Sequence, residues 1–169
     1  LKSLNFVDEI VVILDRSIDE TKKIASKYTK KIYEGSWESE GKRRNFGISK
    51  CSSKWILEMD ADELIKKPLE KEIIQKLKFN NCDFYYIPMT NFIGNKKITK
   101  GWMACLAPDG KFCLFRKGKK IWMDGSVHPQ YQINGKKGLT FLNSLNHYLS
   151  MDISDLLSKF NRNTSLYAN

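Results

Sequence analysis

The stretch "WILEMDADEL" (55–64) ends an apolar run in three acids, Asp60, Asp62 and Glu63. Carboxylates crowded together repel one another, and burying them without partners is costly. The chain carries 29 Lys and Arg against 19 Asp and Glu, a formal net charge of +10, so this acidic knot runs against the overall balance. Two readings account for it. Residues two apart in extended chain share a face, so Asp60 and Asp62 can offer hard oxygen ligands to Mg²⁺ or Mn²⁺, with water and phosphate oxygens completing the shell. Alternatively the acids stand in water at a strand-to-helix turn, with Glu63 near the N-terminus of the next helix, where the macrodipole favours negative charge. The triplet alone leaves both open.

A second group is basic. "GKRRNFG" (41–47) sets Lys42, Arg43 and Arg44 where the first turn of a helix is expected. Positive charge there opposes the macrodipole at a cost of roughly a few tenths of a kcal/mol per residue. A sequence tolerates this when the cluster faces an anion, since the arginine fork matches phosphate; an exposed basic turn is the plainer alternative. Asp15 ends the run "IVVIL" much as Asp60 follows "WILEM". Ligands of open α/β sheets sit beyond the carboxyl ends of strands, so both aspartates are expected on one rim.

The elements that must hold these residues are read from periodicity. "DEIVVILD" (8–15) is a β-branched strand suited to a buried sheet. "RSIDETKKIASKY" (16–28) is predicted as a helix, with Ser17 as N-cap and Ile18, Thr21, Ile24, Ala25 and Tyr28 at helical spacing. "KKIYEG" (30–35) is a short strand, 39–51 a loop entering a helix, and "KWILEMD" (54–60) the next buried strand. Such alternation predicts an α/β fold with a parallel sheet. A helix follows over 68–79, with Leu69, Ile73, Ile74 and Leu77 on one face. "DFYYIPMTNFI" (83–93), "KFCLFRK" (111–117) and "LTFLN" (139–143) then read as strands, and 151–168 as a helix with the stripe Ile153, Leu156, Leu157 and Phe160. One domain over 1–169 is expected, with a β-rich mixed second half.

A chain of 169 residues, 41% hydrophobic and 28% charged, can bury a sizeable core and is not disordered in composition. The longest apolar run, Ile10 to Leu14, is too short to span a bilayer. Cys51, Cys82, Cys105 and Cys113 show no CxxC spacing and read as reduced thiols filling core space. With no leader pattern at its start, the chain is expected in the cytoplasm. Its basic excess attracts anions: nucleic acid, phosphorylated small molecules or a membrane surface.

Taken in order, "LDRSIDET" (14–21), "GKRRN" (41–45), "DADE" (60–63), "SVHPQ" (126–130) and "LNHYLSMDISDLLSKFNR" (145–162) resemble glycosyltransferase family two, and within it the lipopolysaccharide core β-glucosyltransferase subgroup. The resemblance spans essentially the whole chain. It implies a GT-A-like (Rossmann-like) α/β fold with a mixed sheet, mainly parallel in its N-terminal half, and helices on both faces. It also implies that "LKSL" at the start is the end of a helix, so that the family's first strand is missing here. The implied reaction moves a sugar, with inversion, from a nucleotide-sugar donor to a cell-surface glycan or lipid-linked acceptor, assisted by Mg²⁺ or Mn²⁺.

The resemblance assigns donor contacts to Asp15, Lys42, Arg43, Arg44, Asn45, Asp60 and Ala61, and metal contacts to Asp60, Asp62 and His128. Asp19 matches a second acid of the first turn, equally suited to capping the helix. The family's "VHE" reads "VHP" here, so Pro129 stands where the proton-accepting glutamate would be. Asp124 is the first replacement candidate for that base and Glu63 the second; Asp124 before Gly125 is also a plain turn residue. His147 is read either as a site residue or as a hydrogen-bonded core histidine. Trp37, Trp102 and Trp122 can stack on sugars or simply pack. The last helix, with Lys159 and Arg162, can dock on a sheet or touch a membrane from its inner face. Two rival readings stand beside the enzyme: an inactive relative that still binds a nucleotide or partner, and a nucleic-acid-binding module. No nucleic acid is expected, since "GKFCLFRK" departs from the aromatic pattern of RNA-binding sheets.

Overall fold

Apolar runs bounded by charged turns produce short strands and helices in the computed structural model, which describes residues 1–79, 81–101, 104–105, 107–124 and 129–167, with side chains to residue 161. After a 3₁₀ turn at Lys2–Leu4 come β1 (Val12–Asp15), α1 (Thr21–Ala25), β2 (Ile32–Gly35), α2 (Glu40–Lys50), β3 (Trp55–Leu57), β4 (Glu63–Leu64) and α3 (Lys67–Lys78). They are followed by β5 (Phe84–Ile93), β6 (Lys96–Lys97), β7 (Gly110–Arg116), β8 (Lys120–Trp122), β9 (Tyr131–Ile133), β10 (Leu145–Ser150) and α4 (Ile153–Tyr167). Contacts group these into two units. The first holds Leu1–Leu57, Cys82–Phe84 and Leu114–Lys137; the second holds Glu58–Asn81, Tyr85–Cys113 and Gly138–Asn169.

In the first unit β1 and β2 pair in parallel, with Asp15 opposite Gly35 at the end of the ladder. β3 pairs with the end of β7 in antiparallel sense, Ile56 opposite Phe115, and β8 and β9 form an antiparallel ribbon. Leu14, Ala25, Ile56, Leu114 and Phe115 are buried. Each large one contributes on the order of 1.5–3 kcal/mol through burial. Glu9 ties the approach to β1 to the chain after α2, accepting from the Ser52 N–H at 2.8 Å and pairing with Lys31.

In the second unit β10 lies between β5, to which it is parallel, and β4, to which it is antiparallel. Leu69 and Ile73 of α3 are buried with Tyr85, Ile87, Phe141 and Leu145, whereas Ile74, expected on the same face, is 41% exposed. On α4 only Leu156 of the predicted stripe is buried; Ile153, Leu157 and Phe160 are exposed.

Four expectations are corrected. The helix predicted over 16–28 is confined to Thr21–Ala25, and Ser17 does not cap it. Arg16 adopts a left-handed backbone (φ 53°), Asp19 accepts the Thr21 N–H at 3.0 Å in a local turn, and Ile18 projects fully into solvent. "LTFLN" (139–143) is not a strand. Its Leu142 and Asn143 N–H groups donate to the Glu72 carboxylate (2.8 and 2.9 Å), so no ladder partner is needed, while Phe141 packs edge-on against Tyr85. Strand β1 begins at Val12 rather than at residue 8. Of the four cysteines, none in a disulfide, Cys82 and Cys113 are buried as expected, but Cys105 is exposed.

Candidate functional site

In the first unit the site residues lie at the ends of β1 and β2 and on the first turns of α2. Ser39 caps α2, accepting the Lys42 N–H at 3.2 Å. Gly41 is required by a close approach: a Cβ there would stand 1.9 Å from the Met123 carbonyl oxygen. One turn on, the Asn45 amide clasps the backbone of Trp122, donating from Nδ2 to its carbonyl (2.8 Å) and accepting at Oδ1 from its N–H (2.9 Å). Arg44 donates from Nε to Glu40 at 2.7 Å and lies over the Trp122 ring, 4.7 Å from its centroid. The Trp122 ring also meets the Lys120 ammonium, at 4.1 Å, and the Tyr131 ring, edge-on at 5.0 Å. The arginine–asparagine pair therefore braces α2 against β8.

Asp15, at the end of β1, receives Arg16 through Nε (2.9 Å) and Nη2 (3.3 Å) and Arg43 through Nη1 (3.5 Å). Its side chain is 13% exposed, against 67% for Arg16. The left-handed backbone at Arg16 costs a non-glycine residue roughly 1–2 kcal/mol. Sequence reasoning passed over Arg16, although an arginine directly after a strand-ending aspartate was there to be noticed. Lys42 pairs with Glu38 and lies 3.8 Å from the exposed Asp124. His128, Gly125, Ser126 and Trp102 lie outside the described residues.

In the second unit, Asp60, Ala61, Asp62 and Glu63 form a tight turn rather than extended chain. The Glu63 N–H donates to the Asp60 carbonyl (3.2 Å), and the Asp60 N–H to the Glu63 carboxylate (2.8 Å). The two aspartates consequently take different partners. Lys111 of β7 reaches Asp60 at 3.1 Å and Glu63 at 2.5 Å. Glu63 is 1% exposed, and burial pushes its carboxyl above the usual range against the pull of Lys111. Its oxygens are engaged inside the turn.

Asp62 faces His147 of β10, Oδ2 to Nε2 at 3.6 Å, and the ring holds the Asp62 carboxyl below the usual carboxylate range. Asn91 fixes the ring. Its Nδ2 donates to the Pro108 carbonyl (2.7 Å), so its Oδ1 must accept from His147 Nδ1 (2.8 Å). With Nδ1 donating to Asn91, Nε2 faces Asp62: carrying a proton it donates to the carboxylate, and stripped of that proton it offers a lone pair. Two acceptors then converge, which suits a proton or a metal ion. Among the described residues, no group of three or more His, Cys, Asp and Glu side chains is placed to hold a metal.

An α/β fold with mixed strand pairing and acids following its strands defines the class, and sequence comparison narrows it. The profile of Glycosyl transferase family 2 matches residues 2–132, and the chain belongs to that family. An uncharacterised glycosyltransferase of Rickettsia typhi is 32% identical over 142 residues, covering 84% of this chain and 42% of the relative. One from Rickettsia felis is 36% identical over 81 residues, 48% of this chain and 29% of the relative. The chain thus spans less than half the length of these curated relatives. Among solved structures, S. aureus TarS 1–349 in complex with UDP overlays 69% of this chain and 41% of its own, at 21% identity and a TM-score of 0.49.

Proposed function

We propose that this chain binds a nucleotide-sugar donor and transfers its sugar, with inversion, to a cell-surface glycan or lipid-linked acceptor, as in the lipopolysaccharide core subgroup its motifs resemble. Family membership supports the reaction class, and the Asp62–His147 pair carries the reading of the site. A carboxylate and an imidazole lone pair 3.6 Å apart fit one divalent cation, Mg²⁺ or Mn²⁺, in a way the Lys111-bound Asp60 does not. A bound ion would supply positive charge for the departing diphosphate. Asp62 and His147 are thus the ligands, and Asp60 and Glu63 shape the turn that presents Asp62. Asp15, Arg43 and Arg16 belong to the nucleotide contacts. Asp124, 67% exposed, is the carboxylate proposed to take the acceptor proton.

The net charge of +10 supports work at an anionic membrane surface from the cytoplasmic side. No helix among the described residues is long and apolar enough to cross a membrane.

Calorimetry with UDP, GDP and ADP, with and without Mn²⁺, tests the proposal. Binding of at least one, strengthened by Mn²⁺ and losing that strengthening in Asp62→Asn and His147→Ala, is expected. Absence of binding to all three removes the nucleotide-donor reading; binding that ignores Mn²⁺ removes the metal.

A further inference from the structure

Helix α4 rests on β10 by one flank and leaves its apolar flank exposed. Leu156 is buried, and Lys159 donates to the Leu149 carbonyl at 3.0 Å, so positions 156 and 159 face the strand. Ile153, Leu157 and Phe160, spaced i, i+4 and i+7, form a ridge about a quarter-turn round the helix from that flank. All three are exposed, Ile153 at 67%, and Met151, just before the helix, at 79%. Apolar side chains gathered in this way on a surface mark a place where another apolar phase is met.

The charges beside the ridge narrow what that phase is. Gly94, in the turn between β5 and β6, donates its N–H to the Ser150 carbonyl (2.8 Å), and a Cβ on it would stand 2.7 Å from the Met151 carbonyl oxygen. The β5–β6 hairpin is thereby fastened to the start of α4. It carries the exposed Lys96 and Lys97, with the exposed Lys100 three residues on. No acid stands between Asp83 and Asp109 in the sequence. None of the three lysines takes a carboxylate partner among the described residues. The acids beside the ridge are engaged at the helix start. Asp152 accepts the Asp155 N–H (2.8 Å), while Asp155 accepts the Met151 N–H (3.1 Å) and pairs with Lys159 (3.1 Å).

An apolar ridge flanked by uncommitted lysines matches the boundary of an anionic bilayer. Acyl chains there receive the apolar side chains, and lipid phosphates receive the ammonium groups. A second copy of this chain would instead set the same lysines and the same net charge of +10 against them. We infer that this face of the second unit, built from Lys96, Lys97, Met151, Ile153 and Leu157, seats the chain on an anionic lipid bilayer. The inference rests on the membrane-surface reading above and names the face that makes the contact.

The test is co-sedimentation with vesicles of equal parts phosphatidylglycerol and phosphatidylcholine, and with vesicles of phosphatidylcholine alone. The wild-type chain is expected to bind the anionic vesicles, and less so as salt is raised. Lys96→Gln with Lys97→Gln should weaken that binding about ten- to thirtyfold. Ile153→Ser with Leu157→Ser should weaken it about tenfold or more. Lys27→Gln with Lys30→Gln removes two exposed lysines of the first unit and is expected to stay near wild type. Thermal midpoints and UDP binding should match wild type in every variant, since all these side chains are exposed. If the serine pair lowers the midpoint, the Lys96 and Lys97 pair carries the test. Binding that the control pair weakens as much as the Lys96 and Lys97 pair, or that both face variants leave intact, overturns the assignment and spares the membrane-surface reading. A wild-type chain that binds neither kind of vesicle overturns both. A dimer in sedimentation equilibrium that the serine pair dissolves gives the face to a second copy, and overturns the assignment too.

Discussion

Asn45 grips Trp122 by both backbone groups, N–H and C=O, with the two ends of one amide. The geometry copies a rung of a β-ladder but comes from a helix side chain. Asn45, which the motif assigns to ligand contact, thereby clasps α2 to β8 beside the Arg44–Trp122 stack.

Replacing Asn45 with Ala should therefore cost about 1–3 kcal/mol, because it leaves partly buried backbone groups without partners. Asn45→Asp should cost at least as much, since a carboxylate oxygen would then face the Trp122 carbonyl. Urea midpoints of the two variants check this; equal stability to wild type would mean that water replaces the clasp.

Gly41→Ala places a methyl group against the Met123 carbonyl. The gain in helix propensity, roughly 1 kcal/mol, is expected to be outweighed by a packing penalty of about 1–3 kcal/mol, lowering the thermal midpoint. A midpoint above wild type would show that β8 yields freely.

Glu9 gives the first unit a defined acid response. Lys31 beside it and the Ser52 groups hold its carboxyl down at about 2, from a usual 4.5. A depressed acid stabilises the folded state above its unfolded value and loses that contribution as pH falls from about 4.5 toward 2. Glu9→Gln should lower stability at pH 7 and flatten the dependence on pH across that window. Denaturant midpoints at pH 7, 4 and 3 measure the difference between the two curves, which should shrink as pH falls.

Lys111→Met leaves the buried Glu63 without its counter-ion, a change typically worth about 3–5 kcal/mol. The deficit should be largest at neutral pH and diminish in acid, where Glu63 takes up a proton. Adding Glu63→Gln should recover part of the loss. If the double variant is no more stable than Lys111→Met at pH 7, the pair is not what holds the turn.

Much of this was legible from residue order. The bounds of α3 and strands β2, β5 and β7 follow from apolar periodicity and Pro68, and a helix was expected after the loop that begins at residue 39, without its Ser39 cap. What was not legible depends on distant partners. Alternation puts Asp60 and Asp62 on one face, but their partners are distant in sequence: Lys111, 48 residues past Glu63, pairs with Asp60 and Glu63, and His147 on β10 faces Asp62. Helical spacing over 16–28 was genuine, yet one left-handed residue and an aspartate turn stopped the helix from starting before Thr21. The backbone demand of "LTFLN" was met by a glutamate on α3, which no local pattern announces.

The first unit draws on three separate stretches, the last ending at Lys137. During synthesis, residues 1–57 would leave the ribosome ahead of the β7 and β8 segments that close against β3 and α2. Its assembly must await residue 137, which keeps "IVVIL" and "WIL" in need of protection from aggregation until that stretch is made. Neither unit corresponds to a contiguous fragment that could be cloned by cutting the gene once.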